Sequence, residues 1–161
     1  MSISLRAATP ADDAFLREVY ASARAPEMAM VPWSEEQKTA FLKHQFDAQD
    51  AYYRGQFPTA EFLVILKDET AVGRIYILRE EHAIRILDIT LMTDSRAQGI
   101  GTSVIKPLLD EATAANTAVN IWVESFNPSQ TLFRRLGFLV AQEDGVNQLL
   151  EFRAVAQHRT I

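Results

Sequence analysis

The strongest constraint on the fold is a change of hydrophobic period on both sides of a glycine loop. The segment 84–93 (IRILDITLMT) is strand-like, and the segment 118–124 (AVNIWVE) alternates with its apolar residues on one face. A strand, a helix and a strand in this order predict a right-handed parallel crossover. Between the two segments, apolar residues recur at helical spacing, at Val104, Ile105, Leu108, Leu109 and Ala112.

Two of the chain's six glycines, Gly99 and Gly101, stand where this helix begins. The first N–H groups of a helix have no intrahelical partner, and glycine lets a ligand or another backbone approach closely. Successive N–H groups at a helix N-terminus can hold an anion. The loop is therefore a candidate anion site.

The loop does not match either of two well-known phosphate-binding motifs. A P-loop would need Lys and then Ser or Thr after its last glycine, but Gly101 is followed by Thr102 and Ser103. A dinucleotide fingerprint would need a small residue where Val104 stands, and it normally lies in the first βαβ unit. Taken alone, the loop fits an ordinary glycine turn before a helix better than a ligand site.

The first half of the chain predicts helices followed by an antiparallel sheet. A strand over 4–9 leads into a helix over 9–23, with Thr9 as N-cap and Pro10 in the first helical position. The segment 24–33 is interrupted by prolines and is predicted to be non-helical. A second helix over 34–55 starts with a Ser34–Gln37 capping box, and Gly55 and Pro58 are expected to end it. Strands over 61–67, 71–79 and 84–93 follow, joined by short polar links that suit hairpins.

The end of the chain predicts a short helix and a hairpin. The segment 127–137 (NPSQTLFRRLG) has Asn127 as a candidate N-cap, Pro128 in the first helical position and Gly137 as the C-terminal stop. Strands over 138–143 and 147–153 are expected to pair around the intervening turn. The fold class is therefore α/β, with a mixed, mainly antiparallel sheet flanked by helices.

The bulk composition excludes several classes of function. With 161 residues and 48% hydrophobic content, we expect one domain over 1–161. Cysteine is absent, which excludes thiolate chemistry, and the three histidines are too dispersed to predict a metal site. We expect a cytoplasmic protein, because no signal peptide or membrane span is evident. A net charge of −5 and scattered basic residues argue against a nucleic-acid partner and favour a cationic substrate.

Two motifs in the right order resemble the GCN5-related N-acetyltransferase (GNAT) superfamily over nearly the whole chain. The signature loop of that family is Arg or Gln, two residues, Gly, one residue, and Gly or Ala; Arg96, Gly99 and Gly101 match it. Its downstream pattern of Asn, a short helix and Leu-Gly-Phe is matched by Asn127 and by 136–138. The resemblance implies a GNAT-type fold and transfer of an acetyl group from acetyl-CoA to a primary amine.

The resemblance also implies a donor site. The loop amides of the family wrap the pyrophosphate of acetyl-CoA, and Asn127 and Phe133 lie in the second motif that the family uses near the donor. A bulged strand beside the loop pairs with the pantetheine arm; here it corresponds to Leu91, Met92 and Thr93. The N–H of Leu91 is the expected donor to the thioester oxygen. The loop residues are Arg96, Ala97, Gln98, Gly99, Ile100, Gly101 and Thr102.

Direct attack of an amine on the thioester requires a base, for which two carboxylates are candidates. Asp88 lies in an otherwise apolar strand just before the bulge, and it is either the base or a polar residue facing solvent. Glu124 ends the next strand; it either holds the amine or faces water.

A departure from the family pattern affects the departing thiolate. The family often has a tyrosine as general acid where this chain has Phe133, which has no proton to give. The thiolate then leaves without specific protonation, or Ser125 or a water serves. The same departure keeps open a non-catalytic acyl-CoA-binding or regulatory module as an alternative.

The acceptor is not encoded by the donor motifs. In the family, the segment between the first two helices commonly shapes the acceptor pocket. A packed loop with exposed carboxylates is the alternative for each residue, and Tyr52 or Tyr53 is a further candidate for the pocket wall. The sequence is compatible with a homodimer. The candidates in the segment are Met28, Met30 and Trp33 as apolar walls and Glu27, Glu35 and Glu36 as amine partners.

Overall fold

The structure is a computed structural model that describes residues 1–154. Over these residues the chain alternates between strands and helices in the order that the sequence predicts. None of these helices combines the length and the apolarity that a membrane span requires. The strands are β1 (Ile3–Ala7), β2 (Glu61–Lys67), β3 (Thr70–Arg79), β4 (Ala83–Leu91), β5 (Ala118–Glu124), β6 (Leu139–Asp144) and β7 (Asn147–Arg153). The α-helices are α1 (Asp13–Met28), α2 (Glu35–Gln56), α3 (Ile100–Ala115) and α4 (Gln130–Arg135).

The strands form a mixed sheet in the order β1-β2-β3-β4-β5-β7-β6. The pairing of β4 with β5 is parallel, in a register that runs from Ala83 opposite Ala118 to Ile86 opposite Ile121. Because α3 lies between these two strands in the chain, the predicted parallel crossover is confirmed. The α/β fold class with a mainly antiparallel sheet is confirmed as well.

The chain divides into two compact units, and the sequence of β4 crosses from one to the other. The first unit consists of Met1–Leu78 and Asp88–Ile100, and the second of Arg79–Leu87 and the chain from Gly101 onward. A single domain over the whole chain stays a prediction.

In the first unit, α1 and α2 pack through a small aromatic and aliphatic core. Leu16, Tyr20 and Phe46 are buried, and the rings of Tyr20 and Phe46 meet edge to face with centroids 6.0 Å apart. Burial of such side chains stabilises the unit by roughly 1.5–3 kcal/mol each. β1 and β2 pair antiparallel, from Ile3 opposite Lys67 to Ala7 opposite Leu63.

The predicted bounds of α1 are wrong at both ends. Thr9 caps a 3-10 turn over Pro10–Asp12, and α1 begins only at Asp13. The helix then continues through Pro26 into the segment predicted to be non-helical. Proline cannot donate a backbone hydrogen bond, but the bonds beyond it are made, and the Ala29 N–H donates to the Ala25 carbonyl at 3.0 Å.

The start of α2 is as predicted, but its end is not. Ser34 Oγ accepts from the Gln37 N–H at 3.1 Å, and the Gln37 side chain accepts from the Ser34 N–H at 2.9 Å, which confirms the capping box. Gly55 does not end the helix, which runs to Gln56 with Phe57 as its C-cap. Likewise β4 ends at Leu91, and Thr93, predicted to be in the strand, begins a 3-10 turn.

In the second unit, α4 ends in the predicted glycine stop. Gly137 has a φ of +99°, its N–H donates to the Arg134 carbonyl at 3.0 Å, and the Phe138 N–H donates to the Phe133 carbonyl at 3.0 Å. This pair of bonds is a Schellman motif, which glycine favours because the left-handed conformation needs no Cβ. β6 and β7 then pair antiparallel, which confirms the predicted hairpin.

Gly73 lets β3 approach the end of β4 closely, and this contact gives a test of the packing. A Cβ at Gly73 would lie 2.5 Å from the Thr90 carbonyl oxygen and 3.1 Å from the Leu91 Cα. Because both atoms are backbone, Gly73→Ala should destabilise the protein by about 1–3 kcal/mol, measured by thermal or denaturant unfolding.

Gly55→Ala is the matched control for this change. No atom lies within 4 Å of the corresponding Cβ, and Gly55 is helical, so the same substitution should stabilise by roughly 0.5–1 kcal/mol. Equal stability of the Gly73→Ala protein and wild type would contradict the close approach of the two strands.

Candidate active site

The two glycines of the loop meet different structural needs. Ala97 and Gly99 both have left-handed backbones, with φ of 60° and 79°, and α3 begins at Ile100. No atom lies within 4 Å of a Cβ built on Gly99, so this position opens onto free space. A Cβ on Gly101 would lie 2.8 Å from Leu132 Cδ2 of α4. Gly99 thus permits the left-handed backbone, and Gly101 leaves room for the Leu132 side chain.

The loop has the chemistry of an anion site. Residues 96–99 are exposed, whereas the Ile100 side chain is buried and anchors the start of α3. The amides in the first turn of a helix have no carbonyl one turn back to accept their protons, and the helix dipole adds partial positive charge. The side chain of Arg96 is exposed as well. An anionic group can therefore be held here by backbone groups.

The predicted donor strand is anchored on both of its neighbouring elements. The Met92 N–H donates to the Val72 carbonyl at 2.8 Å. The Thr93 N–H donates to Ser22 Oγ of α1 at 3.1 Å, and the two hydroxyl oxygens are 2.7 Å apart. Two of the three predicted donor-strand amides are therefore engaged within the protein.

Asp88 lies against a buried arginine that sequence analysis did not single out. Arg74 of β3 donates from Nε to Asp88 Oδ2 at 2.7 Å, and the Thr90 hydroxyl donates to the same oxygen at 3.0 Å. Arg74 also donates from Nη2 to Gln49 Oε1 of α2 at 2.8 Å. Asp88 is therefore held from β3 and β4, and Arg74 links it to α2.

Aromatic rings enclose the Arg74 guanidinium, which is only 1% exposed. Its carbon lies 4.9 Å from the ring centroid of Tyr76 and 5.9 Å from those of Tyr20 and Phe46. Burial lowers the pKa of Arg74, but the charge and hydrogen bond of Asp88, together with Tyr76 and Tyr53, raise it above its ordinary value. Arg74 therefore remains a cation, stabilised by one carboxylate and by cation–π contacts.

Tyr53 borders the same cluster. Its ring meets that of Tyr76 edge to face with centroids 5.6 Å apart. Burial, reinforced by the negative charge of Asp88, raises the pKa of Tyr53 to about 12. Its hydroxyl therefore stays protonated at neutral pH.

A sequence signal for this cluster existed. Arg74 and Asp88 are opposite charges, each inside an otherwise apolar strand segment, in two strands joined by a short link. A buried charge requires a partner, so the two residues are natural candidates for each other.

The remaining predicted residues, Glu124, Asn127 and Phe133, lie in the second unit. The Glu124 side chain is exposed at the end of β5. Asn127 is not the N-cap of α4, because the helix begins at Gln130 with Ser129 before it. Asn127 Oδ1 instead accepts from the Ser129 N–H at 2.9 Å, an Asx turn that competes with helical pairing and precedes the helix.

Phe133 is a core residue of the second unit. Its side chain is fully buried, and its ring packs edge to face on Phe138 with centroids 5.1 Å apart. A substitution at Phe133 is therefore expected to change the packing of this core.

The segment between α1 and α2 carries an open apolar groove. The ring of Trp33 meets that of Phe41 edge to face at 5.2 Å, and with Gln37 and Ala40 they line a space of about 440 Å³. Met30 is 85% exposed beside this stretch of chain.

The predicted amine partners Glu27, Glu35 and Glu36 are exposed on the surface. Glu27 lies 3.6 Å from Arg24, and Glu35 lies 3.7 Å from Lys38. Exposed pairs of this kind contribute little to stability, so the carboxylates can change partners at low cost.

Comparisons with known proteins agree with the fold. A family model described as an acetyltransferase (GNAT) domain matches residues 30–153. A search among curated proteins by sequence finds no match. The match to this one family model therefore covers more than half of the chain.

Solved structures share the architecture at low identity. The PaiA N-acetyltransferase from Thermoplasma acidophilum in complex with coenzyme A superposes with a TM-score of 0.71 at 20% identity, covering 96% of this chain and 100% of that chain. A phosphinothricin acetyltransferase from Sinorhizobium meliloti in complex with AcCoA gives a TM-score of 0.60 at 18% identity, with coverages of 95% and 89%. Protein PH1933 from Pyrococcus horikoshii OT3 gives 0.69 at 16% identity, with coverages of 96% and 100%.

The burial of Phe133 predicts the effect of adding a hydroxyl to its ring. Phe133→Tyr would place an oxygen in a filled core, so the free energy of unfolding should fall by about 1–3 kcal/mol. Phe126→Tyr is the matched control, because Phe126 is 69% exposed and should tolerate the same atom. Equal thermal stability of both variants and wild type would show that space for a hydroxyl exists beside Phe133.

Proposed function

Because the chain belongs to the GNAT acetyltransferase family, we propose that it transfers an acetyl group from acetyl-CoA to a primary amine, with both substrates bound together. The observation that carries the proposal is the exposed left-handed loop over 96–99 followed directly by the N-terminus of α3. Two structural neighbours were crystallised with coenzyme A or AcCoA, which supports the same donor here.

The loop residues are proposed to bind the pyrophosphate through backbone amides. The free space over Gly99 leaves room for a phosphate, and a left-handed turn directs successive N–H groups to one side. Acetyl-CoA supplies the activated acyl group. Leu91, Met92 and Thr93 are proposed to lie along the pantetheine arm, with Asn127 and Phe133 assigned to the second donor motif.

The thioester carbonyl is proposed to be polarised by the Leu91 amide. The Met92 and Thr93 amides already donate within the protein, so neither is assigned this role. An oriented backbone donor stabilises the oxyanion that develops when the amine attacks, without reorganisation at that moment.

Asp88 is proposed to receive the proton of the attacking amine, directly or through a water. The Arg74 guanidinium and the Thr90 hydroxyl both donate to Oδ2 of this carboxylate. Arg74 and Thr90 hold the carboxylate in one orientation. Glu124 is proposed as a second carboxylate that attracts the acceptor, because its side chain is exposed. The thiolate is proposed to leave without a protein acid, since Phe133 has no hydroxyl.

The acceptor is proposed to be a cationic amine with an apolar part. The groove lined by Trp33, Gln37, Ala40 and Phe41 offers aromatic surface, which attracts a cation. Glu27, Glu35 and Glu36 of the same stretch of chain are exposed carboxylates. The net charge of −5 acts in the same direction.

Donor binding is tested by a change at Gly99. Acetyl-CoA should raise the Tm of wild type, because a ligand at 100 times its Kd stabilises the folded state by roughly 2.7 kcal/mol, whereas NAD and ATP should not. Gly99→Val should abolish the acetyl-CoA shift, since a branched side chain fills the space proposed for the phosphate.

Gly145→Val is the matched control for strain. Gly145 also has a left-handed φ, +63°, and no atom within 4 Å of a Cβ, but it lies in the β6–β7 hairpin. Both variants should lose intrinsic stability, and only Gly99→Val should lose the response to acetyl-CoA. Retention of that response in Gly99→Val would make the loop a simple turn.

Catalysis is tested at Asp88 by following free CoA release with a panel of amines. Asp88→Asn should lower the Tm, because Arg74 loses its carboxylate partner. Below that Tm, in folded protein, it should lower turnover by about 10²-fold while acetyl-CoA affinity changes little, because the amide cannot accept the proton. Asp50→Asn, which alters an ion pair with Arg54 at 3.1 Å on the surface of α2, should leave turnover unchanged.

Two outcomes would redirect the proposal. Undiminished turnover in Asp88→Asn would assign the proton to water or to another group. Tight acetyl-CoA binding by wild type without CoA release for any amine would favour a non-catalytic acyl-CoA-binding module.

A further inference from the structure

A lysine of the β2–β3 hairpin, which is distant from the glycine loop along the chain, contacts that loop. Lys67 is the last residue of β2, and its Nζ donates to Gln98 Oε1 at 2.8 Å. The amide end of Gln98 is used at the same time, since its Nε2 donates to the Asp94 carbonyl at 3.0 Å. The Gln98 side chain therefore links the loop backbone to a cation on β2.

The position of Lys67 is set by a tight turn that is itself anchored. Asp68 and Glu69 both have left-handed backbones, with φ of 49° and 67°, and they connect β2 to β3. The Ser2 N–H donates to Asp68 Oδ1 at 2.8 Å, and the Asp68 N–H donates to the Ser2 carbonyl at 2.8 Å. The chain start thus holds the tip of the hairpin, and with it the base of the Lys67 side chain.

The charge of Lys67 is not neutralised by an ion pair within residues 1–154. Its hydrogen-bond partner is a neutral amide, whereas lysines elsewhere on this unit, such as Lys43 with Asp47 at 3.3 Å, contact carboxylates. A neutral partner fixes the position of an ammonium group and leaves its charge available to an anion. The group lies beside a loop that carries no lysine of its own over 96–102.

We propose that Lys67 is a positioning and charge-supplying residue of the donor site: it restrains the glycine loop through Gln98 and attracts the phosphate groups of acetyl-CoA. This inference rests on the proposed function, because it assigns a further residue to the same donor loop. It differs from the family pattern in drawing the cation from the β2–β3 hairpin. No covalent step is assigned to Lys67.

The test is a calorimetric titration of the full chain with acetyl-CoA at low and at moderate salt. Lys67→Met should weaken binding by about three- to tenfold, the range of one charge-assisted hydrogen bond to a phosphate at a partly exposed site. The loss should shrink as salt rises, because added ions screen the charge in wild type. Lys67→Arg should retain most of the affinity and of the salt dependence.

Further variants separate the effect of the Lys67 charge from the effect of its hydrogen bond to Gln98. Gln98→Met keeps the Lys67 charge but removes the link, so it should weaken binding while preserving the salt dependence. Lys43→Met removes one surface lysine on α2 and should leave both quantities at wild-type values. The Tm of each unliganded variant should stay within about 2 °C of wild type, which verifies that folding is intact.

The phosphate contacted is identified with 3′-dephospho-CoA as a second titrant. An equal loss for both titrants in Lys67→Met places the lysine at the pyrophosphate, and a smaller loss for the dephosphorylated form places it at the 3′-phosphate. Wild-type affinity and salt dependence in Lys67→Met would overturn the inference while the proposed function stands. Failure of wild type to bind either titrant would overturn both.

Discussion

The first compact unit depends on a buried positive charge. The Arg74 guanidinium cannot be desolvated alone at acceptable cost, so the unit must supply a carboxylate, a hydrogen-bond acceptor and aromatic faces around it. Asp88 of β4, Gln49 of α2 and the rings of Tyr20 and Tyr76 meet that need together. One consequence is that α1, α2, β3 and β4 pack in a single arrangement. Another is that the carboxylate proposed for proton transfer is held in one orientation by the same contacts that stabilise the unit.

In the glycine loop, two glycines likewise meet separate requirements of backbone conformation and packing. Gly99 makes the left-handed turn possible and opens the space above the loop, while Gly101 lets Leu132 approach the first turn of α3. Lys67 contacts Gln98 within this turn, and Ser22 contacts Thr93 before it, both from other elements of the first unit. A site that binds its ligand mainly through backbone amides requires such external restraints, because side chains of the loop itself do little of the binding.

Much of the secondary structure could be predicted, because it depends on neighbouring residues. The bounds of β2, β5 and β7, the Ser34–Gln37 capping box and the Gly137 stop follow from alternation, local hydrogen bonding and backbone sterics. The errors also have local causes. The rule against proline inside helices took no account of the hydrogen bonds that continue α1 past Pro26. The preference for asparagine at N-caps did not distinguish a cap from an Asx turn that begins two residues before the N-cap Ser129.

The order of elements, the parallel crossover and the glycine turn before α3 could be read from the sequence, since each follows from periodicity or steric freedom over a few adjacent residues. Which side chains meet could be seen only in the folded protein. Arg74 and Asp88 are 14 residues apart in the chain, and Lys67 and Gln98 are 31 apart. Phe133, which the family pattern associates with a proton donor, is buried against Phe138. These partners are selected by desolvation, charge pairing and close packing, which act between elements and leave no regular period in the sequence.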